Sequence, residues 1–204
     1  MGHRQIVSRY LLPGLYTKPE PLDQILIRDC DIALWEPTTF YGEGIARATG
    51  GPFSHTTAIV IWHGEPWSVG FEEKRQGHAC PLRAEINRHP DRIHLFRVKR
   101  DFDFPIGNVR EALLDVRGDY LWSNIKAIAL LHLLKWVLSF QRVQDMISEM
   151  SNRTGGGICS QHVSRGWGEQ GGVRFTQKPY EQTTPNDIGF SPVTEYISTP
   201  IPGG

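Results

Sequence analysis

The sequence predicts an α+β fold in which a small antiparallel sheet packs against helices. Segments typical of strands lie mostly in the first half of the chain, and helical periodicities lie mostly in the second half. The 204 residues suffice for one compact domain, and no repeat or change of composition marks a second one. We therefore expect a single domain over residues 1–204, with an extended N-terminal arm at residues 1–27.

Short strands account for most of the first half. Residues 55–62 give the clearest strand because they are rich in β-branched side chains. A turn at residues 63–66 then predicts a hairpin with a second strand at residues 67–72. The other predicted strands are residues 30–35, an extended piece at 79–82 after a turn at 74–78, and residues 92–98, whose alternation places His94 on the polar side.

Helices are predicted between and after these strands. Thr38 or Thr39 is a candidate N-cap for a helix that extends to residue 48 and stops at the glycines beyond it. Residues 123–150 contain no Gly or Pro and predict one long helix or two joined by a bend. The remaining predictions are a helix at residues 108–116 and a closing strand at residues 193–197.

Composition and charge exclude several classes of function. The 22 basic and 22 acidic side chains balance, so the charge indicates no nucleic-acid partner. Three widely spaced cysteines predict neither a disulfide framework nor a structural zinc site. The N-terminus lacks the apolar stretch of a secretory signal, so the expected location is cytoplasmic. The apolar run at residues 125–140 is shorter than the ~20 residues that a membrane-spanning helix needs.

A candidate nucleophile lies in the stretch Gly-Gly-Gly-Ile-Cys-Ser-Gln-His-Val at residues 155–163. The glycines predict a flexible turn, and the apolar spacing that follows predicts a helix with Cys159 in its first turn. Unpaired N–H groups and the helix dipole favour negative charge there, which lowers a thiol pKa and produces the nucleophilic thiolate. A buried cysteine that only packs is the alternative, so a base must be found elsewhere.

His55 is the strongest of the eight histidines as that base. It opens the predicted strand directly after a Gly-Gly-Pro-Phe-Ser loop, where the sheet would hold it and substrate would reach it. A histidine that only caps the loop is the alternative. A third polar group should accept the other imidazole N–H. The far end of the hairpin returns level with His55, so Glu72 or Glu73 is the candidate, and Glu72 is preferred.

These residues resemble a known family. Three segments are similar, in this order, to motifs of permuted NlpC-type, papain-like cysteine hydrolases: Asp31-Ile-Ala-Leu-Trp35, Ala48-Thr-Gly-Gly-Pro-Phe-Ser-His55-Thr-Thr-Ala-Ile-Val60 and Gly157-Ile-Cys159-Ser-Gln-His-Val163. That group includes YiiX-like and lecithin retinol acyltransferase-like proteins. Arg117-Gly-Asp-Tyr120 and Thr184-Pro-Asn-Asp-Ile188 resemble two further segments of the family.

The resemblance spans residues 29–197 and implies a circularly permuted papain-like core whose small sheet is barrel-like. Residues about 123–150 would form a helical insertion in it. The resemblance also implies Cys159 as nucleophile, His55 as base and Glu72 (or Glu73) as the orienting group, without a metal or cofactor. The residues that would line the oxyanion site are Ile158, Ser160, Gln161, which replaces a glutamate common in the family, and Tyr120.

The expected reaction is hydrolysis of an amide bond in a peptide or a peptidoglycan stem peptide. A lipid-directed acyltransferase or thioesterase with the same Cys-His pair is the first alternative. An exposed apolar face at residues 125–140 would favour it through a peripheral membrane contact. An inactive binding domain on the same fold is the second alternative. The expected partners are thus peptide, peptidoglycan or acyl-lipid substrates.

Overall fold

The computed structural model describes residues 19–72, 76–99, 104–116 and 159–202. The strands are β1 (Glu20–Pro21), β2 (Ile32–Trp35), β3 (His55–Trp62), β4 (Glu65–Glu72), β5 (Gln76–Pro81), β6 (Ile93–Val98), β7 (Thr194–Ser198) and β8 (Pro200–Ile201). The helices are α1 (Phe40–Ala48), α2 (Leu82–Arg88), α3 (Ile106–Leu114), α4 (Cys159–Arg165), which continues as a π-helical turn over Gly166–Gln170, and α5 (Pro185–Gly189).

Six strands form one antiparallel sheet in the order β5-β4-β3-β2-β6-β7, and β1 pairs with β8 separately. The expected α+β class is therefore confirmed. The expected barrel-like sheet is wrong for the described residues: the sheet is open, because β5 pairs with β4 alone and β7 with β6 alone. Among the described residues, no helix is long and apolar enough to cross a bilayer.

Side chains on the two faces of the sheet enter two separate cores. Core 1 lies under α3, α4 and α5, and it includes Leu34 and Ala58 from the sheet and Val163 from α4. Core 2 lies under α2, and it includes Trp35 and Ile59 from the sheet. Residues adjacent along a strand therefore point into different cores. Because both faces are covered, the central strands are buried on both sides.

This coverage corrects the prediction for His94. The alternation in β6 predicted that His94 would lie on a polar face, but the residue is only 3% exposed. Its strand lies between β2 and β7, and Phe53 packs edge-on against its ring at 5.4 Å. A polar residue in an alternating strand marks a solvent face only when that face of the sheet is uncovered.

Local signals locate several elements correctly. The side chain of Thr39 accepts a hydrogen bond from Gly42 N–H at 3.1 Å and caps α1, as predicted. β3 and the start of α4 at Cys159 also match the predicted positions. Two predictions were incomplete: His78 lies in β5 and not in a turn, and α2 was not predicted. Several predictions fall outside the described residues: residues 1–18 of the N-terminal arm, Glu73, Tyr120, the helix at 123–150 and Ile158.

Candidate active site

Cys159 lies where the first turn of α4 meets the sheet. The helix packs against β3 and β4, and Cys159, its first residue, is 6% exposed. The backbone N–H of Thr56, the residue directly after His55, lies close enough to the Cys159 sulfur to favour its thiolate form. The N–H groups of Cys159 itself and of Ser160 also point to this sulfur. The helix start therefore brings the thiol to the strand residue next to the predicted base.

Hydrogen bonds of the first turn fix the orientation of α4. The Ser160 hydroxyl donates to Thr183 O at 2.6 Å, and Gln161 Nε2 donates to Glu181 O at 2.6 Å. Further along the helix, Val163 enters core 1. Both polar side chains are thus bound to the backbone of residues 181–183, and the backbone N–H and the hydroxyl of Ser160 both favour the thiolate form of Cys159.

The thiol of Cys159 is protonated at neutral pH. Burial raises its pKa to about 11, although the N–H groups of Thr56, Ser160 and Cys159 act in the opposite direction. Desolvation of the thiolate therefore outweighs the helix terminus, which was expected to lower this pKa. The resting nucleophile is a neutral thiol that needs a base.

His55 is half-buried at the start of β3. It pairs with Trp35 across β2 and β3, and the two rings meet edge-on with centroids 5.6 Å apart. Burial lowers the pKa of His55 to about 4; charge on His78 and His89 adds to this effect, and Glu85 opposes it. The imidazole is therefore neutral at pH 7, which is the form a general base requires, although the same burial disfavours its protonated form.

The Cys159 thiol and the His55 imidazole lie on opposite faces of the sheet at β3. α4 packs on the core 1 face, whereas the His55 ring lies beside Trp35 on the core 2 face. Among the described residues, no hydrogen bond joins the Cys159 sulfur to the imidazole. Because the backbone of a strand fixes the direction of each Cα–Cβ bond, proton transfer between them requires the start of β3 to reorient together with the His55 side chain. Catalytic hydrogen bonds that tighten only when substrate binds are common.

Glu72, the preferred orienting group, lies at the end of β4. Its Oε2 is 3.5 Å from Nε2 of His78 on β5, and its side chain is 40% exposed. The β3–β4 pairing runs from Trp62↔Glu65 to Ala58↔Val69. The pairing ends there, so Glu72 lies beyond the part of β4 that pairs with β3, and the charges that shift the pKa of His55 are those of His78, Glu85 and His89.

Sequence reasoning missed a second carboxylate near His55. Glu85 of α2 is 3% exposed, its Oε1 accepts a hydrogen bond from Arg88 at 2.9 Å, and its charge raises the pKa of His55. The available signal was the apolar pair Leu82 and Ile86, one helical turn apart, which both enter core 2. This pair would have predicted a helix with Glu85 beside its buried face.

A second imidazole–carboxylate pair lies elsewhere on the sheet. His94 Nε2 is 3.0 Å from Glu36 Oε1, and its Nδ1 is 3.0 Å from the hydroxyl of Thr199, which in turn contacts the Tyr196 hydroxyl at 2.6 Å. The Thr199 hydroxyl is not available to substrate, because the residue is 4% exposed. These hydrogen bonds connect Thr199, the residue after β7, to His94 of β6. No group of His, Cys, Asp or Glu side chains among the described residues is arranged to hold a metal ion.

Comparison with known proteins adds a structural neighbour. No protein-family model and no curated protein matches the chain. The crystal structure of the metalloprotein YiiX from Escherichia coli O157:H7 matches with a TM-score of 0.50 and 13% sequence identity, over 86% of this chain and 98% of that chain. A match at 13% sequence identity supports similarity of the fold alone. In the arrangement of its chain, the protein is thus similar to YiiX.

Proposed function

We propose that the protein is a cysteine hydrolase that cleaves an amide bond in a peptide or a peptidoglycan stem peptide. Cys159 is the nucleophile and His55 is the base of a circularly permuted papain-like site. The packing of the start of α4 against β3 supports this proposal, because a helix-terminal thiol then lies beside Thr56, the strand residue that follows His55. The YiiX-like fold and the motif order of the sequence are consistent with it.

In the proposed reaction, His55 acts as a general base. Its neutral imidazole takes the thiol proton as the sulfur attacks the substrate carbonyl carbon, since the raised thiol pKa disfavours a preformed ion pair. Backbone N–H groups of Cys159 and Ser160, which favour negative charge on the sulfur at rest, stabilise the oxyanion once the sulfur has bonded to the carbonyl carbon. The imidazolium then protonates the leaving amine, which leaves a thioester on Cys159. A water molecule deprotonated by His55 hydrolyses this thioester and restores the thiol.

A carboxylate is proposed to orient the imidazole after it turns. Glu72 and its neighbour Glu73 are the candidates from the sequence, and the buried Glu85 joins them because its charge acts on His55. The three carboxylates can be tested one at a time, because replacing Glu by Gln removes the charge without a large change in side-chain volume. We expect the largest loss of kcat for the carboxylate that contacts the imidazole.

The test is the hydrolysis of peptide p-nitroanilides, combined with trapping of the acyl-enzyme from p-nitrophenyl acetate and peptide mapping by mass spectrometry. We expect acetylation of Cys159, and a loss of about 10²-fold or more in rate for His55→Ala. His89→Ala is the matched control, because His89 also meets Trp35 edge-on, at 5.5 Å, from another position. An unmodified Cys159 would overturn the proposal in favour of a binding domain, and equal rates in His55→Ala and His89→Ala would overturn the assignment of His55 as the base.

The lipid-directed alternative depends on residues 125–140, which lie outside the described residues. The same assay separates it from the amidase, with phospholipid vesicles as the acyl donor. A Cys159 adduct that forms from the lipid and not from the p-nitroanilide would move the assignment to that class.

A further inference from the structure

Asn186 of α5 binds the backbone that leads into β3. Its Oδ1 accepts a hydrogen bond from Phe53 N–H at 2.9 Å, and its Nδ2 donates to Phe53 O at 2.9 Å and to the Thr49 hydroxyl at 2.6 Å. The residue is 2% exposed. One buried amide therefore satisfies both backbone groups of Phe53, in the way that a neighbouring strand would.

The loop before β3 is shaped around this side chain. A Cβ at position 51 would overlap Oδ1 of Asn186, so the chain passes there only as glycine. Phe53 itself anchors in core 1, and His55 follows it by two residues. The position of the base thus depends on the Asn186 amide.

The segment just before Asn186 holds the other half of the proposed site. Thr183 O accepts the hydrogen bond from the hydroxyl of Ser160, next to Cys159, and Thr183 is 1% exposed. Between the two anchors, a capping box fixes the start of α5: Thr184 Oγ1 accepts from Asp187 N–H, and Asp187 Oδ2 accepts from Thr184 N–H. Residues 183–186 therefore contact Ser160, which follows the proposed nucleophile, and Phe53, which lies two residues before the proposed base.

We propose that residues 183–186 form a brace that sets the position of His55 relative to Cys159, with Asn186 as a positioning residue that acts through the Phe53 backbone. This inference rests on the proposed function for its catalytic meaning. The brace is one short, capped segment that contacts both elements that carry the reacting groups. Thr183 accepts hydrogen bonds from Ser160 and Ser164 of α4, and Asn186 binds both backbone groups of Phe53. α4 also packs directly on β3, so loss of the Asn186 contact loosens the approach to His55 relative to Cys159 without removing a reacting group.

The test compares Asn186→Ala with Thr194→Val. Thr194 is a matched control, because its buried hydroxyl donates to Ile188 O at 2.9 Å near the end of α5 but touches neither Phe53 nor Ser160. We expect Asn186→Ala to lower kcat for the p-nitroanilide at least tenfold with little change in KM, and Thr194→Val to leave both near the wild-type values. If Asn186→Ala does not fold, Ser164→Ala loosens the other end of the brace, because the Ser164 hydroxyl donates to Thr183 Oγ1 at 3.2 Å, and it is expected to lower kcat in the same direction.

Two readouts do not depend on catalysis. Amide hydrogen exchange at Phe53 should accelerate in Asn186→Ala relative to Thr194→Val, and the NMR titration of His55 should move upward as its burial loosens. A protein whose Cys159 is never acylated, but whose His55 responds to Asn186→Ala alone, contradicts the hydrolase and keeps the brace. Equal responses of His55 and Phe53 in the two variants would overturn the brace.

Discussion

Replacement of His55 by Gln tests whether its imidazole is held neutral by burial. The pKa of His55 falls from 6.5 to about 4 in the folded protein, and each pKa unit corresponds to about 1.4 kcal/mol. A folded-state pKa below the unfolded value contributes stability that is present above pH 6.5 and is lost as the pH falls through about 4. The contribution at stake is therefore up to ~3 kcal/mol.

The assay is urea unfolding at several pH values from 7 to 4, for the wild type and His55→Gln. Carboxylates that titrate in the same range are common to both proteins, so the difference between the two curves isolates His55. Between pH 7 and pH 4, the free energy of unfolding of the wild type should fall by about 2–3 kcal/mol more than that of His55→Gln. His63→Asn, with an exposed side chain in the turn between β3 and β4, should keep the wild-type slope. Parallel curves for the wild type and His55→Gln would refute the reasoning.

Two further predictions concern the surroundings of His55. Gly51→Ala should destabilise the protein by about 1–3 kcal/mol, because the new methyl group overlaps Asn186. Chemical denaturation measures this loss of stability. Gly44→Ala is the control, since a Cβ there meets no described heavy atom within 4 Å. A neutral or stabilising Gly51→Ala would contradict the packing described for the loop. Glu85→Gln should lower the pKa of His55 further, because the charge of Glu85 raises it, and NMR titration of His55 reads this shift; an upward shift would contradict the assigned role of the carboxylate.

The parts of the site that follow from local sequence were predictable. β3 is rich in β-branched residues, and α4 follows a run of glycines, so the positions of His55 and Cys159 at the starts of these elements could be read directly. The cap of α1 by Thr39 likewise depends only on residues within one turn. Each of these signals extends over fewer than about ten residues.

What could not be predicted depends on contacts between distant segments. The raised pKa of Cys159 comes from burial against β3, and sequence alone contains only the opposite effect of the helix terminus. His94 is buried because α5 and its neighbours cover a sheet face that alternation marked as polar. The contact between Asn186 and Phe53 joins residues 133 positions apart. No periodic pattern reports a contact of that kind.

The pH dependence of Cys159 acylation by p-nitrophenyl acetate tests the central claim most directly. If neutral His55 removes the thiol proton, the single-turnover rate of the wild type rises with one ionisation near pH 4 and then stays level through pH 8. The rate of His55→Ala should instead follow ionisation of the thiol itself and rise about tenfold per pH unit without levelling in that range. A wild-type rate that climbs in parallel with that of His55→Ala would contradict the assignment of His55 as the base.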